Sequence, residues 1–293
     1  MLSPEIIKKI KKIHIKAGRT VNTIMAGQYR SVFRGAGIEF EEVREYLPGD
    51  EVKSIDWKVS ARLNRPFVKR YREERELLMM LLVDMSASGE FGTGESLKRE
   101  TAAEVASILA FNAIRNNDKV GAILFTEGAE RYIPPKKGSA HVWRVIREIF
   151  AFSPARQGTD FQSALGYLGR VCRKRAVTFL ISDFLTDADL SRPLRSTARR
   201  HELIAVVVRD AGEFRLPEAG ILLAEDPETG ERRLIDASDQ ATRRRFEERQ
   251  SRAYADRMEM LRAADIDRIP ITTTDSAADV LTRYFRMRER RRR

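Results

Sequence analysis

What this chain lacks narrows its function first. Cys172 is the only cysteine, so neither an intramolecular disulfide nor a thiolate metal cluster is available, and a reducing compartment fits. Histidine is nearly as scarce: His14, His141 and His201 are the only three, and the order of elements puts none of them beside the candidate site. There is no G-x-x-x-x-G-K-[ST] phosphate loop and no G-x-S-x-G nucleophile elbow, which weighs against an enzyme. Long apolar runs are missing too. The longest, Leu77–Val83, falls far short of the roughly 20 residues of a spanning helix. Met1-Leu2-Ser3-Pro4 leads into a Lys-rich segment without an apolar h-region, so no signal peptide is expected. These absences point to a soluble, cytoplasmic protein.

What is present supports a folded protein with a basic surface. A hydrophobic content of 42% over 293 residues is enough for a real core. That length holds one large α/β domain with extensions, or two modest domains. The charged fraction is 33% and the net charge +11, which suits an acidic partner: nucleic acid, an anionic membrane face or an acidic protein surface. A well-solvated Arg-rich surface explains the same balance. Arg243-Arg244-Arg245 and the Arg290–Arg293 tail are read as solvated.

Ser3-Pro4-Glu5 supplies an N-cap, a first-turn proline and an early acid. Ile6, Ile10 and Ile13 follow at helical spacing among lysines, a basic amphipathic helix expected to dock on the rest of the protein, with peripheral membrane contact as the alternative. Residues 30–75 are polar and turn-rich around Pro48-Gly49-Asp50. Within them Trp57 reads as a buried ring with Asp56 as its polar lock.

From Leu77 onward strands and helices alternate. Strands are expected at 77–83, 120–125, 177–182, 203–208 and 269–271, with an antiparallel edge near 131–133. Helices are expected at 96–116, 139–150, 160–172, up to about 200, 238–264 and at the C-terminus. A hairpin pairs 221–223 with 233–235 around Asp226-Pro227-Glu228-Thr229-Gly230. The fold class is therefore α/β, a doubly wound, mostly parallel sheet covered on both faces. An extension at 1–75 is expected to pack on a main domain at 76–293, which carries the hairpin and long helix as an insertion at about 220–265.

The candidate site begins where the first strand ends, in Asp84-Met85-Ser86-Ala87-Ser88. A buried strand ending in D-x-S-x-S puts a carboxylate and two hydroxyls in one tight loop, hard donors suited to Mg²⁺ or Mn²⁺ and poorly suited to zinc or copper. In a doubly wound sheet, ligands bind at the carboxyl ends of strands where the strand order reverses. The strand ending in Ser182-Asp183 is the expected neighbour, so Asp183 faces Asp84. Thr159, in Gln157-Gly158-Thr159-Asp160, brings a hydroxyl from a third loop, or caps the helix at 160. Two carboxylates and three hydroxyls leave the ion electrophilic, with an open position for a carboxylate from another protein.

This arrangement resembles the metal-ion-dependent adhesion site of von Willebrand factor A domains: D-x-S-x-S at Asp84, Ser86 and Ser88, then Thr159, then Asp183. Upstream, Gly35-Ala36-Gly37-Ile38-Glu39-Phe40-Glu41-Glu42-Val43-Arg44-Glu45-Tyr46, Pro48-Gly49-Asp50 and Ile55-Asp56-Trp57-Lys58-Val59-Ser60-Ala61-Arg62 resemble the signature of the bacterial domain-of-unknown-function family 58. The likeness covers roughly residues 20–210. It implies a von Willebrand factor A-like (Rossmann-like) fold and a non-enzymatic partner of MoxR-type AAA+ ATPases, acting like a chaperone in the maturation of other proteins. Many members carry membrane segments, which this chain lacks.

Two other classes compete. A Mg²⁺-dependent hydrolase or aspartyl-phosphate phosphatase needs D-x-D after the first strand, where this chain has Ser86 in the second acid's place. Nucleic-acid or anionic-surface binding rests on charge alone, because aromatic stacking motifs and zinc-finger spacings are absent.

Overall fold

The apolar run at 77–83, read as a buried strand, becomes β3 (Leu78–Asp84) of the computed structural model, which describes Tyr29 and residues 37–74 and 77–292. The amphipathic helix expected from Ser3 lies outside the described residues. The described residues form two compact units: one lies within 33–77, and the other joins Tyr29 to the chain from Leu78 onward.

In the smaller unit, β1 (Gly37–Glu45) pairs antiparallel with β2 (Phe67–Glu74), and a short helix, α1 (Trp57–Leu63), lies between them in sequence. The sequence reading gave no strands here. Both strands carry charged residues at most positions, so the alternation that marks a half-buried strand is absent. The Pro48-Gly49-Asp50 turn is closed by a bond from Asp50 N to Leu47 O at 3.0 Å, with Gly49 at φ 110°. Arg44 holds the Asp50 carboxylate with both guanidinium nitrogens, at 2.7 and 2.9 Å. Asp56 caps α1, accepting from Lys58 N and Val59 N. Trp57 corrects the expectation of a buried ring: it is 69% exposed at the first turn of α1, and Asp56 beside it serves as that helix's cap.

The larger unit is built on six strands. After β3 come α2 (Lys98–Arg115), β4 (Lys119–Phe125), β5 (Ala129–Lys136), α3 (Ser139–Ala151) and α4 (Phe161–Val171). Then follow β6 (Val177–Ser182), α5 (Ser191–Arg200), β7 (Glu202–Arg209), β8 (Ile221–Glu225), β9 (Arg232–Asp236), α6 (Gln240–Ala263), β10 (Asp267–Thr272) and α7 (Ala277–Arg292). The sheet order is β10-β7-β6-β3-β4-β5, parallel except for β5, which runs antiparallel to β4 at one edge. β8 and β9 pair only with each other.

Alternate residues of β3 serve opposite faces. Met80 and Leu82 join Phe125, Phe161, Leu165, Leu168, Leu180 and Leu194 in one core layer. Met79, Leu81 and Val83, also buried, point to the other face, where α2 lies. Tyr29 is fully buried and meets Phe285 of α7 edge-on at 5.9 Å. With helices on both faces the molecule is a doubly wound, mostly parallel α/β fold, as its strand pattern indicated.

Candidate metal centre

The chain leaves β3 for β4 on one side and later returns to β6 on the other, so the strand order reverses between β3 and β6. Val83 pairs with Ile181 in register, which sets Asp84 opposite Ser182 at the carboxyl ends of both strands. Loops diverge there, leaving a cavity of about 20 Å³, a space that suits a single water-sized occupant. Asp84, Ser86, Ser88 and Asp183 all line it.

Each donor is held by a local device. Asp84 Oδ1 accepts from Ser86 N at 3.0 Å, which turns the loop tightly back on the carboxylate. Asp84 Oδ2 accepts from Ser182 Oγ at 2.6 Å. The Ser86 and Ser88 hydroxyls lie 3.1 Å apart and are buried. Asp183 Oδ1 accepts from Leu185 N, and Phe184 adopts a left-handed φ of 57° that carries the chain away from the site.

Thr159 stands apart from this group. It does not line the cavity, although its loop is tied to the serine loop by Ala87 N to Gln157 O at 2.9 Å. Its hydroxyl donates to Glu228 Oε1 at 3.0 Å. Asp160, not Thr159, caps α4, accepting from Ser163 N. His141 and His201 pair with the backbone at Val120 and Ala176, away from these loops.

Three residues that sequence reasoning passed over complete the site. Ser182 bridges Asp84 and the Phe184 amide. Lys98, at the start of α2 and only 3% exposed, pairs with Asp183 at 2.6 Å and with Glu213. Glu213 also accepts from Asp210 N, closing an Asp-x-x-Glu box just past β7. That box is legible as a motif, but nothing local says that it holds a lysine from another helix.

Burial, and after it the Asp183 charge, push the Asp84 carboxyl up to about 7. Burial works to lower the Lys98 ammonium, but Asp183 and then Glu213 outweigh it and hold its pKa above the usual value. Arg257 also faces Asp183 and Glu213. Lys98, Asp84 and Asp183 thus share the cavity lining, with Glu213 bound to Lys98 and Arg257 within electrostatic reach of Asp183. Among the described residues no three His, Cys, Asp or Glu side chains converge as a metal cluster. The donors here are two carboxylates and neighbouring hydroxyls, a hard set that fits Mg²⁺ or Mn²⁺ and not a soft metal.

A mostly parallel α/β sheet with an acid-and-hydroxyl site at its switch point defines the class of this protein. Within that class the chain belongs to the family described as protein of unknown function DUF58, whose model matches residues 42–256. An uncharacterized protein of Mycobacterium bovis is 33% identical over 229 residues, 78% of this chain and 72% of that one. The uncharacterized protein YeaD of Bacillus subtilis is 32% identical over 108 residues, 36% of this chain and 25% of its own length. Among solved structures, the conserved hypothetical protein BatB from Bacteroides thetaiotaomicron is matched over 73% of this chain and 99% of that one, with 14% identity and a TM-score of 0.48. The SpRpn10 VWA domain is matched over 70% of this chain and 94% of its own, with 10% identity and a TM-score of 0.38. Among the described residues no helix is long and apolar enough to cross a membrane.

Proposed function

We propose that this protein is a metal-dependent protein-interaction module without turnover of its own. Asp84, Ser86, Ser88 and Asp183, which line the cavity, would hold Mg²⁺ or Mn²⁺, Thr159 would join them only by giving up its bond to Glu228, and the ion would receive an acidic side chain from a partner protein. A MoxR-type AAA+ ATPase in the cytoplasm, acting in chaperone-like maturation of clients, is the partner its family signature suggests. The observation that carries this reading is the pair of half-buried carboxylates, Asp84 and Asp183, lining one small cavity with the two buried hydroxyls of Ser86 and Ser88. Two formal charges leave a divalent ion electrophilic enough to take a third carboxylate.

The test is a pull-down from native lysate with the wild type and Asp84→Ala, each in Mg²⁺ and in EDTA. A MoxR-like ATPase retained only by wild type with Mg²⁺ supports both partner and mechanism. Retention in all four arms keeps the partner and removes the metal from the mechanism.

A second reading, binding to a nucleic acid or another anionic surface, draws on one feature. Arg283, Arg286, Arg290 and Arg291 cluster around Met287 on α7. Recovery of nucleic acid alone, persisting near 0.15 M salt, would favour it.

A further inference from the structure

Lys98 is the first residue of α2, yet its side chain is buried. Two penalties attach to that position. Burial strips water from the ammonium, and the first turn of a helix is its positive end, where a cation is disfavoured. Asp183 and Glu213 offset both, Asp183 through Oδ2 at 2.6 Å. The other oxygen of Asp183 accepts from Leu185 N at 3.1 Å, so each of its oxygens is already engaged. Asp84, on the same cavity, is held by the neutral donors Ser86 N and Ser182 Oγ, and among the described residues it forms no ion pair.

Lys98 lines that cavity together with the two acids and the two serines. A cation therefore stands beside the path of any ion that Asp84 and Asp183 would share. Two positive charges drawing on one carboxylate repel each other, most strongly where water is scarce. Glu213 offers the ammonium a second acceptor. It is the more exposed of the two acids, and the Asp210 amide anchors it just past β7. Lys98 can thus release Asp183 without being left unpaired.

We propose that Lys98 is a built-in competitor for the divalent ion: its ammonium neutralises Asp183 when no ion is bound and withdraws onto Glu213 when one enters. This rests on the metal-dependent reading above. The lysine then sets the ion concentration at which the site fills, and it ties filling to α2 and to the loop after β7.

The experiment uses the full chain, with Mn²⁺ binding read from the free-ion electron paramagnetic resonance signal of wild type, Lys98→Met and Lys98→Arg. Lys98→Met should bind one Mn²⁺ about 10-fold or more tightly than wild type, and Lys98→Arg, which keeps the charge, no more tightly than wild type. A lysine that only holds the loops in place predicts the reverse order, with arginine preserving affinity and methionine losing it. In wild type labelled with ¹⁵N-lysine, saturating Mg²⁺ should shift the Lys98 Nζ resonance, assigned by its loss in Lys98→Arg; this decides the matter if Lys98→Met does not fold. Binding by Lys98→Met no tighter than wild type, or a Lys98 resonance that Mg²⁺ leaves in place, overturns the competition while the Asp84 site stands. No Mn²⁺ binding to wild type or to Lys98→Met overturns the metal-dependent reading as well.

Discussion

The Lys98 ammonium lies 2.6 Å from Asp183 Oδ2, with both side chains more than nine-tenths buried. It shares that position with Glu213, so one cation from the start of α2 restrains acids from two other loops. Removing one partner of a buried charge group leaves the others uncompensated, at a cost of about 3–5 kcal/mol. Lys98→Met should therefore lose stability on that scale in urea unfolding with EDTA present. Excess Mg²⁺ should recover part of the loss, since the ion supplies charge to the same carboxylates. An identical loss in both buffers would separate Lys98 from the metal.

Metal removal should be visible in the wild type without any partner. An ion that binds only the folded state adds about 2.7 kcal/mol at 100 times its dissociation constant. Thermal unfolding in Mg²⁺ should thus begin several degrees above that in EDTA. Asp84→Asn should abolish the difference while unfolding in EDTA at or above the wild-type temperature, because it removes a buried charge that Asp183 opposes. A variant that unfolds early in both buffers would mean that Asp84 is needed for the fold.

The parts legible in the sequence are those encoded locally. β3 is an unbroken apolar run ending at an acid, and β6, apolar but for Thr178, ends at a serine-acid pair, so both their course and the polar loop after them can be read from composition. The hairpin at 221–236 announces itself through Asp226, Pro227 and Gly230. What stayed hidden depends on distant partners. Lys98 is one of many basic residues, and only contacts 85 and 115 residues away make it a buried one. Glu228 reads as an ordinary turn acid until Thr159 meets it. Trp57 misled in the opposite direction, since a tryptophan's size argues for burial and this one opens a helix in a unit too small to cover it.

Positioning of the Thr159 and Asp183 loops should depend on one ring stack. Phe161 and Phe184 follow those residues closely, lie 5.3 Å apart with planes 8° from parallel, and are both buried. Phe125 adds an edge contact to Phe161 at 5.7 Å. Phe161→Ala should cost about 3–5 kcal/mol through the cavity it leaves. Phe161→Leu, which keeps most of the volume, should fold with a smaller loss and still bind Mn²⁺ more weakly than wild type. Unchanged Mn²⁺ affinity in the leucine variant would confine the stack to core packing.

His201 should give the fold a separate, opposite response to acid. Its ring is 2% exposed and accepts the Ala176 amide at 3.3 Å through Nδ1, an arrangement for the neutral form. Burial first, then the Arg200 and Arg175 charges, lower its pKa from the ordinary 6.5. Below 6.5 the unfolded chain takes up a proton that the folded chain refuses, so stability is complete above that pH and declines as pH falls toward the folded value. Asp84, raised in the folded protein, contributes in the other direction below pH 7, where protonation relieves a buried charge. The difference between wild type and His201→Gln cancels the Asp84 part. Urea unfolding at pH 7.5 and 5.5 should show the wild type losing more stability than His201→Gln, with a slope of at most about 1.4 kcal/mol per pH unit. Parallel losses in the two proteins would show that His201 can be protonated without disturbing its pocket.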